Sequence, residues 1–297
     1  MESKNLFDRL PDLKRLITDN GLQAKHQLGQ HFLTDRALLD EIAAAAKPLD
    51  AHSIIEIGPG PGGLTRSLLQ AGAKQVFAIE KDRRFLPHLQ AIQALSGQRL
   101  HLIEGDALAV KPTDIAPPPY KIVANLPYNI ASPLLVNFLI GDFANDGDID
   151  EMVVMVQDEV AMRMIATPST PHYGRLAVLT YLCAEAEKIM LLPPALFTPP
   201  PKVNSALVRL RPLPPTQAEK LRKNIALETI LWLVKHGFAK RRKMLRSALK
   251  SLKLGVNQWL DIDKWLDRAQ IDGNLRAENL SPEDFVRLAA AYLALKP

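Results

Sequence analysis

One cysteine, Cys183, occurs in 297 residues, which excludes a disulfide framework and any zinc site built on several thiolates. It falls in the apolar run Leu176–Ala184, where a small buried residue is expected. No apolar run approaches the length of a membrane span. The first residues include Glu2, Asp8 and Asp12 and no apolar leader core, so neither a secretory signal nor a transit peptide is expected. Asp142, Asp146, Asp148 and Asp150 crowd one acidic stretch, but their spacing and the want of a closing glutamate exclude an EF-hand. Charge of either sign is in short excess: Lys+Arg 37 against Asp+Glu 32 gives +5, which acquires meaning only from its placement. Internal repeats and low-complexity segments are absent as well. These bounds leave a soluble cytoplasmic protein, expected to be monomeric, of one large or two ordinary domains.

What the chain does have is a glycine cluster behind a short apolar segment. Ile54-Ile-Glu-Ile57 reads as a buried strand. Gly58, Gly60, Gly62 and Gly63 follow, interleaved with Pro59 and Pro61, and Leu64 begins a helical pattern. Strand, glycine turn and helix form the first unit of a nucleotide-binding α/β sheet, because glycine lets a ligand approach the backbone without a Cβ. Gly58, Gly60 and Gly63 with Glu80 also satisfy the dinucleotide fingerprint, so the glycines alone leave a nicotinamide enzyme open. Glu56, just before the turn, suits a cationic ligand such as S-adenosylmethionine (SAM) better than a pyrophosphate.

The remaining chain continues in strand–helix units. Leu6–Ile17 is predicted as a helix, followed by the polar loop Lys25–Asp35, a candidate ligand cover; Asp35 caps a helix that ends before Pro48. Strands are predicted at Gln75–Glu80, Arg99–Asp106, Tyr120–Ala124 and Glu151–Gln157, and Lys188–Leu192 and Ser205–Leu210 are expected to finish one edge of the sheet. Pro87 implies an irregular start to the helix over Lys81–Leu95. Arg211-Pro-Leu-Pro-Pro is the candidate linker. Beyond it only helices are expected: Leu221–Val234, Ala239–Lys253 and a final helix capped by Ser281, with Pro282 first and Asp284 completing a capping box. In Ala239–Lys253 the apolar side holds Met244, Leu245, Ala248 and Leu252, and the other side holds Arg242, Arg246, Lys250 and Lys253, with Lys243 beside them. The domains are therefore drawn at 1–212 and 213–297.

Asn125-Leu-Pro-Tyr128 at the end of the fourth strand carries the sharpest chemistry. An exocyclic adenine amine is a poor nucleophile because its lone pair is delocalised into the ring. Two acceptors that hold its N–H protons favour a tetrahedral nitrogen, and the Asn125 side-chain oxygen with the Leu126 or Pro127 carbonyl suits that task. Pro127 fixes the turn, and Tyr128 offers a ring for stacking, worth about 1–3 kcal/mol. The bland alternative is a strand-end turn with a half-buried tyrosine. Placement favours chemistry, since the first three strands of the same sheet end in Gly58, Glu80 and Asp106.

With these motifs in view, the chain resembles the rRNA adenine N6,N6-dimethyltransferases, and among them the bacterial small-subunit (16S) group. The resemblance rests on Gly29–Asp35, Glu56–Thr65, Ala78–Asp82, Gly105–Ala107, Asn125–Ile130, Phe197–Ser205 and Arg241–Arg246, and runs from about residue 25 to the end. It implies an α/β SAM-dependent methyltransferase fold, Rossmann-like and doubly wound with a mostly parallel sheet, and a small all-helical C-terminal domain that binds RNA or the ribosome. It implies that SAM is held by His31, Leu33, Gly58, Glu80, Asp106 and Asn125; the reading of the glycine turn itself adds Gly60 and, just before it, Glu56. Asn125, Tyr128 and Phe197 would surround the target adenine, with Leu126 and Pro127 between them. The reaction implied is transfer of two methyls to each of two adjacent adenosines near the 3′ end of 16S rRNA, in the 30S subunit or its precursor. The family often has Asn where His31 stands, so a main-chain contact carries over at that position more readily than a side-chain one. Beside such a site, Arg242, Lys243, Arg246, Lys250 and Lys253 become candidates for phosphate contact. Two rivals remain: a 23S rRNA adenine methyltransferase of the macrolide-resistance type, and a ribosome-assembly factor that binds without turnover.

Overall fold

The computed structural model describes residues 7–143, 148–250, 252 and 260–295. The chain divides into two compact units, Met1–Ala161 with Glu187–Pro212, and Met162–Ala186 with Leu213–Pro297. Segment 162–186, which the sequence reading assigns to the first domain, packs with the second unit instead.

The first unit is built on strands β1 (Phe32–Leu33), β2 (Ser53–Ile57), β3 (Gln75–Glu80), β4 (Leu100–Glu104), β5 (Tyr120–Asn125), β6 (Ile149–Gln157), β7 (Ala184–Leu192), β8 (Phe197–Thr198) and β9 (Ser205–Pro212). Seven of them form one sheet in the order β4-β3-β2-β5-β6-β9-β7. Strands β2 to β6 pair in parallel, and β9 returns antiparallel to β6. Every residue of β2 is buried, as expected of a parallel strand covered on both faces. The chain runs outward from β2 through β3 to β4 and then returns to β5 beside β2. This reversal opens a crevice at the strands' carboxyl ends, where open α/β sheets bind ligands. The two remaining strands, β1 and β8, pair antiparallel, Phe32 with Thr198 and Leu33 with Phe197.

Helices α1 (Leu13–Asp19), α2 (Arg36–Ala45), α3 (Gly63–Gln70), α4 (Leu86–Leu95), α5 (Pro112–Ile115) and α6 (Ala131–Ile140) lie within this segment, and α7 (Asp158–Ile165) runs across its end at Ala161. Asp35 caps α2 by accepting from the Leu38 N–H at 3.0 Å. The helix predicted from Leu6 starts only at Leu13, because Asp12 behind Pro11 takes the Lys14 N–H and becomes its N-cap. Pro87 lies in the first turn of α4, preceded by a short 3₁₀ turn over Arg83–Phe85.

The second unit contains α8 (Arg175–Cys183), α9 (Pro215–Arg222), α10 (Leu227–Ala239), α11 (Leu245–Leu249), α12 (Ile262–Ala269) and α13 (Pro282–Leu293). Cys183 is buried in α8. Trp265 is fully buried and donates its indole N–H to the Leu288 carbonyl at 2.9 Å. Ser281 and Asp284 exchange the two bonds of a capping box at the start of α13, as predicted. Two helix predictions are corrected. Leu221–Val234 is divided because Lys223 and Asn224 take left-handed backbone angles, which ends α9. The Ala239–Lys253 helix is reduced, among the described residues, to the five residues of α11. Its first N–H groups are diverted: Leu245 donates to the Leu275 carbonyl at 2.7 Å and Arg246 to that of Gly273 at 3.1 Å. Met244, assigned to the apolar side, is 50% exposed.

Candidate functional site

A cleft enclosing about 760 Å³, the space at its open mouth included, lies at the carboxyl ends of β2 to β5. Its size suits a nucleoside-sized ligand. Of the residues singled out from sequence, His31, Gly58, Gly60, Glu80, Asp106, Asn125, Leu126, Pro127 and Tyr128 line it. Leu33 and Glu56 line an adjoining cavity that shares Phe32, Gly58 and Asn125 with the cleft.

Glycine is required where β2 leaves the sheet. Gly58 has φ +66, and a Cβ there would stand 3.2 Å from Pro127 Cγ, closing the gap between the glycine turn and the Asn125–Tyr128 segment. Gly29 is similarly confined, with φ +62 and a Cβ position 2.8 Å from Asn129 Oδ1. At these two positions the chain passes the Asn125–Asn129 turn too closely for any side chain.

The acids divide by environment. Glu80 is buried, and its carboxylate accepts from the Gly60 N–H at 3.0 Å and the Asp82 N–H at 2.7 Å. Burial raises its pKa, and these two N–H groups partly offset the rise. Each oxygen keeps a lone pair for a further donor. Asp106 is more open: Lys81 Nζ lies 2.7 Å from Oδ2 and the Leu108 N–H donates to Oδ1, which together hold its carboxyl below the usual range. Glu56 is 1% exposed and accepts a 2.6 Å bond from the Thr65 hydroxyl. Desolvation pushes its pKa up to about 8.

Asn125 ends β5, and its side-chain N–H donates to the His31 carbonyl at 2.9 Å. That bond fixes the amide and leaves Oδ1 as an acceptor. Pro127 accepts the Ile130 N–H on its carbonyl at 3.1 Å. The Tyr128 ring stands 5.0 Å from that of His31, tilted by 31°, and its hydroxyl bonds the Ser205 hydroxyl. His31 Nδ1 donates to the Pro199 carbonyl at 2.8 Å, so its side chain is engaged by the proline loop.

Phe197, expected at the target base, is 3% exposed and absent from the cleft lining. Its place opposite Leu33 in the two-stranded sheet turns the ring into the core. Arg242, Lys243, Arg246 and Lys250 are all exposed in the second unit, the first two in the turn before α11. Arg246 lies 3.8 Å from Asp263. Lys253 lies outside the described residues. Sequence reasoning passes over Gln30, Lys81 and Asn129, which also line the cleft. Gln30 stands within Gly29–Asp35 and Lys81 directly follows Glu80, so their neighbours are the available signal. Among the described residues no group of acidic, histidine or cysteine side chains is arranged for a metal ion, and no helix is long and apolar enough to cross a membrane.

The residues present fit SAM. The glycine turn leaves room that a Cβ would fill, Glu80 offers acceptors for ribose hydroxyls and Asp106 one for the adenine amine, while Glu56, kept mostly uncharged near neutral pH by burial, adds no anion for the sulfonium.

The family model for ribosomal RNA adenine dimethylase matches residues 21–293. The chain is 43% identical over 292 residues to ribosomal RNA small subunit methyltransferase A of Roseobacter denitrificans, covering 97% of this chain and 99% of that one. It is 44% identical over 287 residues to the protein of the same name from Sinorhizobium medicae, at 95% and 98% coverage. Among solved structures, a dimethyladenosine transferase from Plasmodium falciparum aligns with a TM-score of 0.71 and 28% identity over 87% of this chain and 96% of that one. The 23S rRNA methyltransferase ErmE aligns with a TM-score of 0.61 and 25% identity, over 88% and 98%.

Proposed function

Since this chain belongs to the ribosomal RNA adenine dimethylase family, we propose that it methylates N6 of two adjacent adenosines near the 3′ end of 16S rRNA, giving N6,N6-dimethyladenosine. It acts in the cytoplasm, as a monomer, on the small ribosomal subunit during its biogenesis. SAM supplies a methyl group on a sulfonium sulfur. Glu80 binds the ribose hydroxyls, Asp106 the adenine amine, and Gly58, Gly60 and the backbone at His31 and Leu33 border the methionine end.

The observation that carries the reading is the anchored amide of Asn125. With its N–H on the His31 carbonyl, Asn125 Oδ1 accepts one proton of the target amine. The Pro127 carbonyl is already engaged by Ile130, which favours the Leu126 carbonyl as second acceptor. The two acceptors draw the amine toward tetrahedral geometry and aim its lone pair, so positioning supplies most of the rate. The adenine has to leave its stack to enter, at a cost of about a few kcal/mol, and Tyr128 receives it. Exposed Arg242, Lys243, Arg246 and Lys250 are read as phosphate contacts, together with Lys253.

The full-length likeness to small-subunit methyltransferases favours 16S over 23S rRNA. The test is methyl transfer from labelled SAM to 30S subunits lacking the modification, with nucleoside analysis and Asn125→Ala alongside. Dimethyladenosine in 16S rRNA, lost in the variant, is the expected result. Transfer to 23S rRNA alone would move the substrate, and 30S binding without transfer would leave a binding factor.

A further inference from the structure

Asp82 is 5% exposed, lies two residues beyond Glu80, and has no place in the cleft lining. Its carboxylate nevertheless draws donors from three residues. Arg84 Nη2 lies 2.6 Å from Oδ2, Gln30 Nε2 donates to the same oxygen at 3.2 Å, and Lys25 Nζ is 3.8 Å from Oδ1. Two of these residues, Lys25 and Gln30, belong to the segment 23–31. Further bonds tie that segment down: Arg84 Nη1 donates to the Gln23 carbonyl at 3.2 Å, and the Lys25 N–H donates to Gln30 Oε1 at 2.9 Å. The same segment then meets the opposite wall. Asn129 donates to the Gln27 carbonyl at 3.2 Å, Tyr128 N–H to that of Gly29 at 3.4 Å, and Asn125 to that of His31 at 2.9 Å.

The segment is therefore a strap that bridges the turn after β3 and the Asn125–Asn129 turn, its contacts to the two interleaved along it. Residue 30 grips Asp82 through its side chain, and residue 31 holds Asn125 through its carbonyl. We propose that Asp82 is a positioning residue for methyl transfer: through Gln30 it sets the His31 carbonyl that orients the Asn125 amide. A buried carboxylate suits this task because it accepts from Gln30 and from the Arg84 guanidinium together, which a neutral side chain with a single acceptor does poorly. Asp82 acts through two other residues and touches neither reactant. Its backbone N–H bonds Glu80, so the strap and the ribose-binding acid share one turn.

This inference rests on the reading of Asn125 as the acceptor for the target amine. The test uses Gln30→Ala, which removes the link and the bond from the Lys25 N–H while leaving Asp82 paired with Arg84, together with Asp82→Asn and the double variant. Hydrogen exchange is followed in the protein without SAM, and single-turnover methylation of 30S subunits is measured in parallel. The expected results are backbone exchange across 25–31 about fivefold faster or more in each single variant, since each loses at least one hydrogen bond of the strap, and a rate constant about tenfold to a hundredfold lower. Affinity for 30S should stay within about twofold, and the double variant should be no slower than Gln30→Ala, since Asp82 acts through Gln30. Gln30→Ala with wild-type exchange and a wild-type rate constant overturns the tether, and so do additive effects of the two changes. An Asn125→Ala enzyme that methylates normally overturns the reading of the site and the tether with it, whereas an inactive Asn125→Ala beside an unaffected Gln30→Ala removes the tether alone.

Discussion

The side-chain amide of Asn125 and the main-chain carbonyl of His31 meet at 2.9 Å across 94 residues of sequence. One hydrogen bond thereby decides which end of the amide faces the cleft. Asn125→Asp replaces the donor by an oxygen, so the His31 carbonyl would face a carboxylate and the acceptor would lose its fixed orientation. Methyl transfer should fall by about two to three orders of magnitude, in the range seen when one oriented polar group is removed from a preorganised site. Single-turnover transfer to 30S subunits, with SAM affinity measured separately, checks this.

Gly58→Ala places a Cβ 3.2 Å from Pro127 Cγ at φ +66. The left-handed angle costs roughly 1–2 kcal/mol for a residue with a side chain, and the methyl enters the space left for the cofactor. SAM affinity should drop by about tenfold or more, which calorimetric titration reads directly.

Glu56 makes stability depend on pH with a definite sign. Its folded-state pKa is raised to about 8 by desolvation, so the folded protein binds this proton more tightly than the unfolded chain. Stability from this group is fully present below the ordinary glutamate range, falls as pH rises, and levels off above pH 8. Glu56→Gln keeps an acceptor for Thr65 and removes the buried charge. It should raise Tm at pH 8.5 by an amount on the order of a few kcal/mol of stability, and change it little at pH 5. Thermal denaturation at the two pH values tests the difference.

Tyr128 separates stacking from hydrogen bonding. Tyr128→Phe loses the hydroxyl pair with Ser205 and keeps the ring, whereas Tyr128→Ala loses both. The alanine variant should lose about 1–3 kcal/mol of base stacking, seen as a rise in KM or a fall in kcat/KM for 30S subunits. The phenylalanine variant should lose about 1 kcal/mol or less.

Arg242 and Lys243 lie exposed in a turn, and their role is electrostatic if they meet phosphates. Replacing both by alanine should weaken RNA binding at low salt. It should also flatten the slope of log K against log salt by roughly 0.7–0.9 for each phosphate no longer neutralised. Filter binding at several salt concentrations measures that slope.

The parts of the site that follow strand ends are legible in the sequence because their positions are local. Glycines behind Ile54–Ile57, Glu80 at the end of β3 and Asn125 at the end of β5 need only the strand pattern and the rule for open sheets. Gln30 and Asp82 are not legible, because their bond spans 52 residues and nothing in either neighbourhood announces it. The basic segment misleads for a different reason. Arg242, Lys243 and Met244 are good helix formers, yet the N–H groups after them find partners in Gly273 and Leu275, and tertiary pairing overrides propensity. Resemblance places Phe197 at the base, while its pairing with Leu33 buries it.

The order of the last strands bears on how the protein is made. Every residue lining the cleft lies between Leu28 and Ile130, so that half of the site leaves the ribosome early. β7 is synthesised before β9 but sits beyond it in the sheet, and must wait for β9 to slot in beside β6. Until Ser205–Pro212 has emerged, β6 presents the apolar run Met152–Val156 on an open edge, the kind of edge that recruits other chains. Ser205, which opens β9, is also the hydroxyl partner of Tyr128, so closing that edge and completing the wall around Tyr128 are one event in the life of the nascent chain.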